Sequence, residues 1–136
     1  MITEDYVSFE TAKLLKEKGF DWECNFEYAV PVVEQGYVLQ MFFKPIKNSE
    51  LIDGAYTAPT LQMAMKWLRE VHKLYVEVVP NPFNFEHQDI QDGWGCEVTH
   101  LSDLSYDGDY EFFQKKYSTY EEACEAAIKY CLESLI

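Results

Sequence analysis

Residues Thr57–Leu74 read TAPTLQMAMKWLREVHKL, the longest amphipathic segment of the chain. At about 100° per residue, its apolar side chains fall on one wide arc and most of its charged side chains on the other. The apolar arc holds Leu61, Ala64, Met65, Trp67, Leu68, Val71 and Leu74. Pro59 suits the first turn of a helix, with Thr57 or Ala58 as the cap. We therefore expect a central helix here that packs against a sheet.

Two further helices are indicated by their caps. Ser8 suits the N-cap of a helix over Phe9–Lys18, and Gly19 is placed to end it. Thr119 with Glu122 three residues later forms a capping box, which predicts the start of the last helix.

The remaining sequence predicts strands. Residues 22–30 alternate, and Glu23, Asn25 and Glu27 are on the side expected to face water. Pro31 ends this strand or confines it to an edge, and residues 34–36 form the turn of a hairpin. The other predicted strands are Tyr37–Lys44, Tyr75–Val79, Trp94–Leu101 and Tyr110–Tyr117. The order α–β–β–α–β–β–β–α predicts one α+β domain over residues 1–136, an antiparallel sheet with helices packed on it.

Charge is the strongest feature of the composition. Eleven basic and 24 acidic residues give a net charge of −13, which disfavours direct contact with nucleic acid or an anionic membrane. The charge can serve solubility alone, attract a basic protein, or mimic a nucleic acid. The chain has no signal-peptide pattern and no apolar run of about 18 residues, so we expect a cytoplasmic protein without a membrane span.

Three blocks of sequence in the predicted helices resemble known proteins. The blocks are Tyr6–Phe9 with Leu14–Phe20, Ala58–Thr60 with Lys66–His72, and Tyr120–Ala123 with Ala127–Leu132. Together they resemble a family of small uncharacterised proteins of Bacteroides-type bacteria and their phages or prophages. The resemblance implies a phage or mobile-element context and no activity, since the family has none established.

A second resemblance concerns only the order of elements. From the central helix onward the order α–β–β–β–α is similar to that of the double-stranded RNA-binding domain, whose last helix opens with basic residues that bind phosphates. The corresponding segment here, Thr119–Glu125, is acidic. We therefore expect no direct binding of nucleic acid.

Metal and cofactor sites lack their usual spacing. Four cysteines are present without a CxxC pair, and in a cytoplasmic protein we expect them to be reduced and buried. A zinc site could draw on Cys96, His100, Cys124 and Cys131, but no close-spaced pair supports it. Two acidic groups lack the spacing and closing Glu of an EF-hand calcium loop, namely Asp103, Asp107 and Asp109, and Glu86, Asp89 and Asp92. We predict neither a metal nor a cofactor.

The irregular segment Pro80–Trp94 is the strongest candidate for a binding site. Either its aromatic residues pack on the core, or Phe83, Phe85 and Trp94 anchor a partner whose basic surface is selected by three acids. These acids are Glu86, Asp89 and Asp92. We therefore expect a non-enzymatic, acidic protein-interaction module of phage or mobile-element origin.

Two other functions remain open from the sequence. The first is a small-molecule-binding or hydrolytic enzyme that uses Glu86, His87 and Asp89, although no GxSxG, HExxH or phosphate-binding loop is present. The second is a nucleic-acid mimic. The oligomeric state is also open, since an edge beside Pro31 or the flank of Met63 and Trp67 could support a dimer.

Overall fold

The computed structural model describes residues 5–29, 36–84, 86–106, 108 and 115–136. In these residues three α-helices and antiparallel sheets form an α+β fold, which confirms the predicted class. The helices are α1 (Phe9–Glu17), α2 (Leu61–His72) and α3 (Tyr120–Tyr130). The strands are β1 (Cys24–Tyr28), β2 (Leu39–Ile46), β3 (Tyr56–Thr57), β4 (Leu74–Pro80), β5 (Phe83–Asn84), β6 (Asp89–Ile90) and β7 (Trp94–His100).

The chain falls into two compact units, Met1–Ala64 and Met65–Ile136. The boundary between them lies inside α2. The single domain over residues 1–136 stays a prediction.

The first unit contains α1 and a three-stranded antiparallel sheet in the order β2–β1–β3. The Ser8 hydroxyl accepts a hydrogen bond from Thr11 N at 3.3 Å, which caps α1 as predicted. Gly19 has a positive φ of 91° just after the helix, which confirms its expected role as the residue that ends it. Ala12 and Leu15 are fully buried and attach this helix to its unit.

The central helix begins later than predicted. Tyr56 and Thr57 form β3, which pairs with β1, so they are unavailable to a helix. The Thr60 hydroxyl accepts a hydrogen bond from Met63 N at 3.1 Å, and α2 starts at Leu61. The prediction that Pro59 lies in the first turn is therefore wrong, because the sheet continues to Thr57 and Thr60 provides the cap.

Most of the predicted apolar arc of α2 is buried, including Ala64 and Leu68. Val71 is half-exposed instead, and Leu74 belongs to β4. Trp67 is buried and contacts His72 edge to face, with ring centroids 4.6 Å apart. Of the two residues expected on a dimer flank, Met63 and Trp67, only Met63 is therefore accessible to a second copy.

Glu27 is buried rather than exposed, which corrects the predicted wet face of the first strand. It lies on β1, the middle strand, with Gln40 of β2 on one side and Thr57 of β3 on the other. Gln40 Nε2 donates a hydrogen bond to Glu27 Oε1 at 2.9 Å, which satisfies one carboxylate oxygen inside the sheet.

The second unit is built on β4 and β7. They pair in antiparallel register from Leu74 opposite His100 to Pro80 opposite Trp94, and α3 packs on both strands. The Thr119 hydroxyl accepts a hydrogen bond from Glu122 N at 3.1 Å, while Glu122 Oε2 accepts one from Ser118 N at 3.2 Å. The predicted cap is thus confirmed, with the return bond shifted by one residue. Past α3 the chain continues as a π-helical turn over Cys131–Leu135.

Some sequence predictions lie outside the described residues. They are the greater part of the strand Tyr110–Tyr117, Pro31, most of the turn at residues 34–36, Phe85, Asp107 and Asp109. Within the described ranges, none of the helices combines the length and the apolar character needed to cross a membrane.

Candidate functional site

The segment between β4 and β7 is a short hairpin, which the sequence reasoning treated as irregular. β4 and β7 end their pairing at Pro80 and Trp94, and Asn81 N then donates a hydrogen bond to Gly93 O at 2.8 Å. Asn81 has a φ of 50° and Gly93 a φ of 110°, both in the left-handed region. Asparagine and glycine tolerate this region best, so the chain can change direction at both ends of the hairpin.

The base of the hairpin is packed tightly on β7. Pro82 is buried, and a Cβ placed on Gly95 would lie only 2.7 Å from Pro82 Cβ. The Pro82 carbonyl accepts a hydrogen bond from Gln91 N at 2.9 Å, which links the two arms. Glycine at position 95 therefore allows the proline ring to lie against the strand.

β5 and β6 form the arms, with Phe83 opposite Ile90 and Asn84 opposite Asp89. Directly opposed residues of an antiparallel pair point to the same face, so Phe83 and Ile90 are neighbours. Phe83 is 44% exposed and Ile90 is 72% exposed. At the tip, Asn84 Oδ1 accepts a hydrogen bond from His87 N at 3.0 Å. The hairpin thus presents an apolar pair to solvent.

Three exposed acids lie on the same hairpin as this apolar pair: Glu86, Asp89 and Asp92. Asp89 precedes Ile90 on β6 and so points to the opposite face, where its carboxylate accepts a hydrogen bond from Gln91 Nε2 at 2.9 Å. Residues 80–94 contain no lysine or arginine. We refer to Phe83, Ile90, Glu86, Asp89 and Asp92 as the hairpin surface.

The two other aromatic candidates of this segment differ from Phe83. Trp94 is half-buried, and it exchanges backbone hydrogen bonds with Tyr117 at 2.9 and 2.7 Å. Its ring meets Tyr120 edge to face, with centroids 5.6 Å apart. Phe85 lies outside the described residues. Trp94 therefore serves packing at least in part, whereas Ile90 is mostly exposed and Phe83 is partly exposed.

In the described residues, Glu86, His87 and Asp89 are not arranged as a catalytic group. Glu86, His87 and Asp89 are all exposed, and His87 uses its backbone N–H at the hairpin tip. Across the described residues, no hydrogen bond joins the His87 imidazole to either carboxylate. A general base is normally oriented by such a bond and paired with a nucleophile.

The cysteines lie in buried apolar surroundings. Burial raises the pKa of the Cys96 and Cys131 thiols to about 12, and that of Cys24 to about 11. These thiols are therefore protonated at neutral pH. No cluster of three or more His, Cys, Asp or Glu side chains suited to a metal ion occurs in the described part of the chain.

Two features escaped the sequence reasoning. The first is Ile90, and the available signal was Asn84, whose side chain favours a tight turn that would bring Phe83 and Ile90 together. The second is an aromatic cluster in the first unit, in which Phe9 stacks on Tyr37 with centroids 3.9 Å apart. This cluster joins distant parts of the sequence, so no local pattern indicates it.

Comparison with protein-family models, curated proteins and solved structures finds no match for this chain. The resemblance to phage-associated proteins therefore stays a prediction.

Proposed function

We propose that this chain is a non-enzymatic protein-interaction module that binds a basic partner protein through the hairpin surface. The observation that carries this proposal is the cross-strand pair of Phe83 and Ile90, which is exposed on a hairpin that also carries three exposed carboxylates. Protein interfaces commonly combine apolar anchors with a polar rim.

The two parts of the hairpin surface have different roles in this proposal. Covering the exposed part of Ile90 contributes about 1–2 kcal/mol, because burying a whole isoleucine side chain is worth about 1.5–3 kcal/mol. Each exposed carboxylate adds only about 0.2–1 kcal/mol, but together Glu86, Asp89 and Asp92 select a positively charged partner. A phage or mobile-element context would be in keeping with such a small binding module, and it rests on the sequence resemblance.

The test uses a fluorescent peptide of alternating lysine and leucine, which offers positive charge together with apolar side chains. The hairpin variant combines Glu86→Gln, Asp89→Asn and Asp92→Asn. The matched control combines Glu17→Gln, Glu23→Gln and Glu70→Gln at other exposed positions. Both variants change the net charge from −13 by +3 to −10, so nonspecific attraction is equal in the two.

We expect the hairpin variant to bind the peptide about tenfold more weakly than the control, as three lost exposed ion pairs imply. Ile90→Ser should weaken binding by roughly 5- to 30-fold at unchanged charge. Equal affinities of the hairpin variant, the Ile90 variant and the control would refute the proposal.

A further inference from the structure

β2 is an edge strand with an unusual set of exposed side chains. It lies outermost in the order β2–β1–β3, and its far side has no strand partner within the described ranges. Met41 is 70% exposed, Phe43 is fully exposed, and Val38 just before the strand is also exposed. An apolar edge strand is an open position for contact with another chain.

A bulge produces the exposure of Phe43. Cys24 pairs with Ile46 and Phe26 pairs with Met41. Between these two pairs β1 has one residue, Asn25, whereas β2 has four, residues 42–45. The additional residues leave the ladder, so Phe43 projects into solvent rather than onto the sheet.

The charge of this segment is opposite to that of the chain. Residues 35–49 contain Lys44 and Lys47 but no Asp or Glu, in a chain with a net charge of −13. Glu50 follows directly, and its carboxylate accepts a hydrogen bond from Lys47 N at 3.1 Å. Both lysines are exposed. We refer to Val38, Met41, Phe43, Lys44 and Lys47 as the β2 edge.

We propose that the β2 edge of one copy binds the hairpin surface of a second copy. The two surfaces are complementary, since one joins exposed apolar side chains to two lysines and the other joins them to three acids. This inference rests on the proposed function, because it assigns the two lysines of a second copy as a positively charged surface that the hairpin surface can bind. Both surfaces belong to one chain, so they are present at equal concentration.

The contact is expected to be weak. Each copy carries a charge of −13, which opposes association, and a few side chains on each side fall short of a standard interface. Two reciprocal contacts related by a two-fold axis would close a dimer, whereas a single contact repeated head to tail would give longer assemblies.

Sedimentation velocity of the full chain tests this inference, at concentrations from about 10 µM to about 1 mM, where weak association is detected. We expect the weight-average sedimentation coefficient to rise with concentration. The variant Lys44→Glu with Lys47→Glu should weaken association by about tenfold or more, since two attractive contacts become repulsive. Phe43→Ser should weaken it as well and leave the far-UV circular dichroism unchanged, because the ring is fully exposed.

Charge exchange provides the sharpest comparison. A charge-reversal variant, Glu86→Lys with Asp89→Lys, should also associate poorly by itself. An equimolar mixture of it with the Lys44→Glu, Lys47→Glu variant should restore association. The matched control is Lys66→Glu on α2 with Lys73→Glu just after it, which makes the same change in charge at other exposed residues. It should weaken association clearly less than the change in the β2 edge.

Three results would overturn the inference. They are a wild-type chain that stays monomeric at all concentrations, a mixture that fails to restore association, and a control that weakens association as much as the β2-edge variant. If the wild type proves monomeric while the hairpin variant still binds the lysine–leucine peptide more weakly than its control, the proposed function stands, and only the second copy as a partner is excluded. If the substitutions in the hairpin surface also leave the affinity for the peptide unchanged, both proposals fail.

Discussion

Gly95→Ala should destabilise the second unit, because the new methyl group meets Pro82. The added Cβ would lie 2.7 Å from Pro82 Cβ and 2.9 Å from Pro82 Cγ, whereas carbon atoms in contact prefer about 3.5–4.0 Å. The proline ring is buried and is fixed to the backbone, so it cannot rotate away as a flexible side chain would. Overpacking of this kind costs about 1–3 kcal/mol of the free energy of unfolding.

The sign of the change in the free energy of unfolding distinguishes overpacking against Pro82 from an alanine in open space. Gly95 lies in a strand without a positive φ, so in open space an alanine there would stabilise the protein by about 0.4–1 kcal/mol through the unfolded state. Urea unfolding measures the difference, and the melting temperature should fall by roughly 3–5 °C for each kcal/mol lost. Hydrogen exchange at Gln91 N, which donates to the Pro82 carbonyl, should accelerate as the hairpin base loosens.

A double-mutant cycle identifies the cause of the destabilisation. In a Pro82→Gly background the ring is absent, so Gly95→Ala should cost clearly less than in the wild type. A melting temperature equal to or above that of the wild type for Gly95→Ala alone would refute the packing of Pro82 on β7.

Three further predictions concern single side chains. His87→Ala should leave the affinity for the lysine–leucine peptide within about twofold, since it removes no carboxylate and no apolar anchor; a loss of tenfold or more would give His87 a direct role. Burial lowers the pKa of His72 below the 6.5 of the unfolded chain, so the unfolded state binds more protons and the free energy of unfolding falls as the pH drops below 6.5. His72→Phe keeps a ring against Trp67 and should reduce this acid-side slope in urea unfolding between pH 7.5 and pH 5.5; an unchanged slope would contradict the assignment. Thr119→Ala should lower the free energy of unfolding by about 1 kcal/mol through loss of the hydrogen bond from Glu122 N, while Thr119→Ser should restore most of it; equal stability of both variants would argue against the cap.

The helices could be predicted because their signals are local. Ser8 and Thr119 form the caps that their positions in the sequence indicate. The start of α2 could not be predicted in the same way. Thr57 was a candidate cap from the sequence. In the structure its N–H instead donates a hydrogen bond to Asn48 Oδ1 at 2.9 Å, and Asn48 lies nine positions earlier in the chain. Strand pairing of this kind depends on contacts that periodicity does not contain.

The buried state of Glu27 was missed for a related reason. Alternation assigns it to the polar face, but its position on the middle strand and its bond from Gln40 place it inside the sheet. The order of strands in a sheet cannot be read from alternation within one of them.

The candidate site was only partly predictable. Composition pointed to residues 80–94, and Phe83 with the three acids was named from the sequence. Proline disfavours a strand interior, so Pro80 and Pro82 give no signal for strands here. The positive φ of Asn81 nevertheless lets the chain turn between them and begin a new hairpin. Ile90 becomes visible only through this pairing, since its neighbours in sequence are polar.

The most direct test of the hairpin surface as a binding site is retention of cellular proteins by four tagged chains: the wild type, the hairpin variant, its charge-matched control and Ile90→Ser. The wild type and the control should retain the same basic protein at low salt and release it at high salt, while the hairpin variant and Ile90→Ser should retain clearly less of it. Retention of that protein to the same extent by all four chains would contradict the assignment of the hairpin surface as the binding site.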